Sequence, residues 1–387
     1  MIPPLDGLCH PRFYAVRAAF DDNFRRRGEL GAAVGVFYRN ERVVDLWGGY
    51  RDLRRAHPWT QDTLAPVFSV TKGMAAAALL LAHRQGLFDF DAPVARYWPE
   101  FAARGKQTIT VRQLLGHQAG LPVISRRLTP ALIRNREALS SVIAAQPPAW
   151  QPGSRHGYHV LTLGWYESEL IRRTDPQHRS LSRFFADEIA GPLGGGFYIR
   201  PEAPDARVPI AELKDHLLLE TFLHWRRVPA GFLLSAAMPW SLTARALTNP
   251  FVLRPSDIVT GPYESAEIPS VNGFGTARAI ARIYSEVALN SRLFGDAASE
   301  LARASEPRRD AIMRVETAFS LGFMKAAGSF LQFSTPAAFG MPGLGGSFGF
   351  ADPGRQLAFC YITNRMDFYP WNDPRELALR TAVYSAL

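Results

Sequence analysis

Phe68-Ser69-Val70-Thr71-Lys72-Gly73 opens an Ala- and Leu-rich run that continues without proline to Gln85, with Gly86 just beyond it. That composition predicts a helix of about four turns, stopped by the glycine. Ser69 then lies where loop becomes helix, beside unpaired backbone N–H groups and the positive end of the dipole. Lys72 follows one turn on, on the same face. A partly desolvated lysine loses affinity for its proton and can take one from a serine hydroxyl. Taken alone, Phe68 to Lys72 read more readily as an N-cap serine followed by a solvated lysine.

Outward from this helix, Phe13, Val16, Phe20 and Phe24 recur at helical spacing and Gly28 follows as a stop. Ala32 to Tyr38 and Val43 to Tyr50 read as strands joined by Arg39-Asn40-Glu41-Arg42. Thr276 to Asn290 reads as a helix with Ile280, Ile283, Tyr284 and Val287 as its buried stripe. Strand patterns return at Ser320 to Lys325, Ser347 to Ala351 and Gln356 to Thr363. Asp373-Pro374-Arg375-Glu376 then marks the start of a last helix, by an N-cap, a proline at the first helical position and a capping glutamate. The expected fold class is α/β in the α+β sense. Both termini build one antiparallel sheet flanked by helices (residues about 1–85 and 271–387), and about 86–270 form an inserted, mainly helical lobe of the same single domain, 1–387.

The chain has 387 residues, 47% of them hydrophobic and 20% charged, which suits a large core and excludes a disordered or collagenous protein. Its longest apolar run, Met74 to Ala82, is far short of the roughly 20 residues of a membrane span. Cys9 and Cys360 are too few for a disulfide framework or a cysteine zinc site. The N-terminus shows no basic and apolar leader, so a reducing cytoplasm is the expected compartment. The net charge of +9 comes from short, scattered arginine clusters, with only Lys72, Lys106, Lys214 and Lys325 as lysines. No basic strip interleaved with aromatics marks a nucleic-acid partner.

Two further motifs bear on chemistry. Gly157-Tyr158-His159 follows the turn-rich Pro152-Gly153-Ser154-Arg155-His156. A serine–lysine enzyme needs a second group to pass the proton on, and a tyrosine with a lowered pKa near an ammonium would serve. Tyr158 alone is otherwise a packed aromatic. His156 and His159 lack a third ligand cluster, so no metal or other cofactor is expected. Met341-Pro342-Gly343-Leu344-Gly345-Gly346-Ser347-Phe348-Gly349 is dense enough in glycine for a backbone to approach a ligand, or simply to turn sharply. Its Gly-x-Ser-x-Gly pattern would make Ser347 a rival nucleophile, but that arrangement needs a later histidine and the last one is His224. Glu286 to Asn290 also mimics a Glu-x-x-Leu-Asn motif, and its place on the amphipathic helix reads as structural.

Together these motifs resemble the serine β-lactamase and penicillin-binding-protein superfamily, and within it the class C-type esterases, the family VIII carboxylesterases. The resemblance spans Val43–Gly49, Phe68–Gly73, Tyr97–Phe101, Leu114–Pro122, Pro152-Gly153 before Gly157-Tyr158-His159, and Gly345–Ser347 before Asp352-Pro353. It implies Ser69 as acylated nucleophile, Lys72 as its proton acceptor and Tyr158 as second acid/base. It further implies an oxyanion hole from the backbone N–H groups of Ser69 and Leu344, with Met341 and Gly343 in the adjoining substrate-binding strand. Two positions depart from the family pattern. Val160 stands where β-lactamases carry Asn, and Met341 stands where they carry the Lys of Lys-Thr-Gly. The expected activity is hydrolysis of a small-molecule carboxylic ester through an acyl-enzyme. An acyltransferase of the same fold is the alternative, and a β-lactamase or a non-catalytic scaffold fits less well. Leu217 to Leu242, with Trp225 and Trp240, reads either as a wall of an apolar acyl or alcohol pocket or as core of the helical lobe.

Overall fold

Terminal strands whose successive side chains enter two different apolar clusters give the molecule its layers. A computed structural model of the chain describes residues 4–202, 207–216, 225–289, 291–328, 335–369 and 371–387. The N-terminal part supplies strands β1 (Leu5–Cys9), β2 (Gly31–Tyr38) and β3 (Glu41–Gly49). Three short strands, β4 (Ala65–Pro66), β5 (Phe197–Ile199) and β6 (Gly273–Gly275), form a small sheet of order β4-β6-β5. The C-terminal part supplies β7 (Arg308–Arg309), β8 (Glu316–Ser320), β9 (Phe323–Lys325), β10 (Phe339–Pro342), β11 (Phe348–Asp352) and β12 (Leu357–Thr363). Among the described residues, the large sheet runs β1-β3-β2-β12-β11-β10-β9-β8-β7, antiparallel throughout. The antiparallel sheet expected from both termini is therefore present.

On β12, Leu357, Phe359 and Tyr361 face one apolar cluster while Ala358, Cys360 and Ile362 face the other. This is the period of two that a strand buried on both sides must show. The first cluster takes Phe13, Val16, Phe20 and Phe24 around helix α1 (Tyr14–Arg26), and Leu379 and Val383 from the last helix, Pro374–Ser385. The opposite face carries helix Ala277–Ala288, whose Ile280, Ile283, Tyr284 and Val287 are buried as expected. It lies on a row of small residues, because Cys360 pairs with Gly35 on one side and Gly349 on the other.

Helix α2 (Val70–Arg84) is buried along the whole of Val70–Ala82. A helix apolar all round belongs in a core. Helices Thr162–Thr174 and Leu181–Phe185 pack on one side of it, and Ala277–Ala288 with β9, β10 and β11 on the other. Its start is pinned to the small sheet. Val67 donates its N–H to the Gly273 carbonyl at 3.0 Å, and the Gly273 N–H donates to Thr71 Oγ1 at 3.0 Å.

Two local readings change. Ser320 to Lys325 is not one strand but a hairpin, with Leu321 and Gly322 turning at φ +46° and +90°. Period-two alternation runs straight through a two-residue turn, which hides it. The loop before β3 is likewise shorter than expected: Arg39 and Asn40 at φ +53° and +63° make the turn, and Glu41 already pairs with Tyr38. Of the Leu217–Leu242 segment, 217–224 lie outside the described residues; in the remainder Leu234 and Trp240 are exposed while Phe232 and Leu242 rest on the cluster that holds Tyr158. Among the described residues no helix is long and apolar enough to cross a membrane.

The sheet–helix contact generates a stability prediction. A Cβ on Gly35 would stand 2.9 Å from backbone atoms of Ala277 and Arg278, which cannot swing away as a side chain would. Gly35→Ala should cost about 1–3 kcal/mol, read as a lower urea midpoint at unchanged slope. An unaltered midpoint would contradict this packing.

Candidate active site

The start of α2 does not follow the capping pattern that its serine suggests. Ser69 occupies the N-cap position, yet its hydroxyl makes no capping hydrogen bond. Instead it accepts from Lys72 Nζ at 3.2 Å. Phe68 before it holds φ +45°, a left-handed conformation that a bulky residue rarely adopts and that sharply turns the chain into the helix. Lys72 is fully buried rather than solvated. Its three donor positions are met by Ser69 Oγ, by the Val160 carbonyl at 2.7 Å and by the Ser270 carbonyl at 2.9 Å. All three are neutral acceptors, so burial is opposed by no counter-ion in contact. Desolvation pulls the Lys72 pKa down to about 7, against a smaller opposing pull from Glu167.

Tyr158 lies next to this pair, with the Lys72 ammonium 4.8 Å from its ring centre. Its ring stacks on Phe319 at 6.1 Å and meets His117 at 5.2 Å. Its backbone N–H donates to both oxygens of Asp310, at 3.1 and 3.0 Å. Buried Asp310 also accepts from the N–H groups of Ile312 and Met313 and from the Thr317 hydroxyl. The sequence-based expectation of a lowered tyrosine pKa does not hold. Burial raises it well above the ordinary value, the Ser69 hydroxyl pulls the other way, and Asp310 and Glu167 add smaller rises. In the free protein Tyr158 is a neutral phenol, a donor rather than a phenolate base. His156 and His159 are committed locally. His156 Nε2 meets Thr317 Oγ1 at 2.9 Å, while His159 takes the Leu121 N–H at 3.0 Å and meets the Gly157 carbonyl at 2.7 Å.

The glycine-rich loop comes to the same place from β10. A Cβ on Gly343 would fall 2.4 Å from the Val67 carbonyl, so only glycine lets the loop touch the segment that leads into Ser69. Gly343 N–H donates to the Ser347 carbonyl at 2.7 Å and closes the turn. Behind it, buried Arg375 donates to the Gly345 carbonyl at 3.0 Å and to Asp373 at 2.7 Å, and pairs with buried Glu29 at 3.2 Å. The Ser69 and Leu344 N–H groups have no backbone acceptor among the described residues, and the Leu344 side chain is partly exposed at the loop tip. Met341 does not present itself to substrate as expected. It is fully buried, and its sulfur takes the Tyr158 O–H at 3.7 Å. Ser347 is buried in the turn, where its hydroxyl accepts from the Thr363 N–H at 3.4 Å.

Thus the fold brings Ser69, Lys72, Tyr158, Met341 and Gly343 together from three distant segments, with Leu344 at the rim. Such a cluster supplies a hydroxyl beside a low-pKa amine, a neutral phenol and unspent amides. It is suited to taking a proton from the hydroxyl as it attacks a carbonyl. Sequence reasoning missed Ser270, Asp310 and Glu167. Ser270 acts through its carbonyl, which any residue has, although a Cβ on Gly164 would lie 2.5 Å from the Ser270 N. The Gly164 N–H also donates to Ser270 Oγ at 2.8 Å, so the two segments are held in register. Val160, noted for the side chain it lacks, also contributes through its backbone.

Comparison with known proteins agrees with this geometry. Residues 17–382 match the family model described as Beta-lactamase. The chain is 33% identical over 374 residues to the esterase/beta-lactamase LipL of Mycobacterium tuberculosis, covering 93% of this chain and 83% of that protein. A family VIII carboxylesterase structure superposes with a TM-score of 0.87 at 35% identity, over 99% of this chain and 100% of that one. A penicillin-binding protein homolog from Caulobacter crescentus gives 0.85 at 33% identity, over 99% and 100%. The chain belongs to the Beta-lactamase family and is a serine hydrolase of its esterase/β-lactamase kind.

Proposed function

We propose that the chain is a carboxylesterase working through an acyl-enzyme on Ser69. The observation that carries the reading is the 3.2 Å contact between Ser69 Oγ and a fully buried Lys72 whose pKa lies near neutrality. Near pH 7 a substantial fraction of Lys72 is neutral amine. It takes the Ser69 proton as Oγ bonds to the ester carbonyl carbon. The developing oxyanion is received by the Ser69 and Leu344 N–H groups. As the tetrahedral intermediate collapses, the C–O bond to the alcohol breaks and the alcohol leaves with a proton donated by Tyr158. The phenol regains its proton from Lys72, which stands against its ring. Water then attacks the acyl-enzyme by the reverse relay and releases the acid. The residues work as one domain, 1–387, and need no metal or cofactor for these steps. Phe232 and Leu242 pack on the extended apolar cluster that also includes Tyr158, and on this reading their segment walls the acyl or alcohol group. If an alcohol or amine replaces the water, the same site is an acyltransferase; product analysis with added nucleophiles separates the two.

Ser69→Ala should abolish turnover while Ser347→Ala keeps it, and a slow ester should leave its acyl mass on the peptide bearing Ser69. An adduct on Ser347, or full activity without Ser69, would overturn the assignment.

Lys72→Ala and Tyr158→Phe should each lower kcat/KM by about 10²- to 10⁴-fold, the usual worth of positioned proton transfer. The double variant should be little worse than the worse single one. A near-normal rate in Tyr158→Phe would reduce the tyrosine to packing.

Short-chain esters should be hydrolysed well and a chromogenic cephalosporin poorly. Val160 replaces a neutral and Met341 a charged hydrogen-bonding group, worth about 0.5–1.5 and about 1.5–3 kcal/mol, so roughly one and a half to three decades of β-lactam specificity are lost. Equal or higher kcat/KM on the cephalosporin would contradict the proposal.

A further inference from the structure

Glu167 is the one carboxylate near Lys72 that the steps above leave unused. It lies on helix Thr162–Thr174, which starts two residues after Val160, and is 0% exposed. Neither carboxyl oxygen has a hydrogen-bond partner among the described residues. The contrast with Glu169 on the same helix is sharp, since Glu169 is held by Arg172, Arg173 and Ser140. Glu167 Oε1 lies 3.5 Å from the position of a Cβ on Gly322, and that position is 2.8 Å from the Ala76 Cβ, one turn along α2 from Lys72. An isolated ionised carboxylate in such surroundings is strongly unfavourable unless a charge answers it. Among the described residues, the cation whose field acts on it is Lys72.

We propose that Glu167 sets the charge of Lys72. While its carboxylate is ionised it holds Lys72 as an ammonium, and when it takes up a proton it leaves Lys72 as the neutral amine that Ser69 needs. The two states differ only in whether one proton sits on nitrogen or on a carboxyl oxygen, and the pair is neutral overall in both. Glu167 is thus a positioning residue that acts through Lys72, and the proposal rests on the serine–lysine reading above.

The surroundings support this pairing. Burial pushes Glu167 up to about 8 and Lys72 down to about 7, each opposing the other's shift, so both states are accessible near neutral pH. Lys72 also faces the ring of Tyr158, while His117 and His159 are held neutral by burial. Helix Ala277–Ala288 brings Tyr284 against Gly73, and burial keeps that phenol protonated. Asp310 is committed to backbone N–H groups on the far side of Tyr158.

The test is the pH dependence, from about pH 5 to 9, of Ser69 labelling by a fluorophosphonate in the wild type, Glu167→Gln and Glu167→Leu. The wild-type rate should rise with pH in a broadened limb, because Lys72 becomes fully neutral only as the pair loses its second proton. Each variant removes the carboxylate that favours the ammonium. Its limb should therefore sharpen to one step with a midpoint lower by roughly one pH unit. The leucine variant replaces the buried acid by an apolar group and preserves the test if the amide folds poorly. Identical midpoints and steepness in all three proteins would overturn the proposal while leaving Ser69 and Lys72 in place. No label on wild-type Ser69 would overturn the assignment of Ser69 and this proposal with it.

Discussion

The burial of one ammonium group organises this site. Lys72 Nζ is enclosed by Ser69 Oγ and two backbone carbonyls, those of Val160 and Ser270. Each acceptor comes from a different part of the chain, so the nitrogen cannot be placed until the helices of the middle segment have docked on α2. Water is replaced by fixed dipoles that satisfy the hydrogen bonds but do not neutralise the charge. On the proposed mechanism, the cost of holding a cation there is what makes the lysine a base near neutrality. The buried, mostly apolar stretch Val70–Ala82 of α2 is thus a core element and, on the proposed mechanism, also the carrier of the base.

The remaining parts of the site are held by longer-range devices. Asp310 gathers the Tyr158, Ile312 and Met313 amides and so fixes the tyrosine from its backbone side. Arg375, buried between Glu29 and Asp373, reaches the Gly345 carbonyl and anchors the glycine-rich loop to the C-terminal helix. Removing one member would leave an uncompensated buried charge, typically worth 3–5 kcal/mol or about that. The loop that offers Leu344 is therefore fixed at its base by buried ionic contacts and free at its tip.

Much of this was legible in the sequence. Helix α2, the two-terminus sheet and the Asp373 cap are written in composition, alternation and turn residues, which are local signals. The Ser69–Lys72 pairing was visible as spacing, and Tyr158 as a motif at the right place in the order. What was not legible depends on the fold. The turn at Leu321–Gly322 is masked because the alternation continues across it. The contributions of Val160 and Ser270 are backbone carbonyls and leave no side-chain signature. The proton affinity of Tyr158 depends on how completely it is buried, and Met341 turned out to lie beneath the phenol instead of facing a ligand. Glu167 carries no local mark in the sequence, because its isolation depends on how the helix around it packs.

The central claim is that Lys72 carries a proton loosely enough to act as a base. With only four lysines in the chain, ε-carbon-13 labelling gives four side-chain signals, and that of Lys72 is assigned by its loss in Lys72→Arg. Titration followed by NMR should move the Lys72 signal with a midpoint near 7. A midpoint near the ordinary lysine value of about 10.4 would contradict the account.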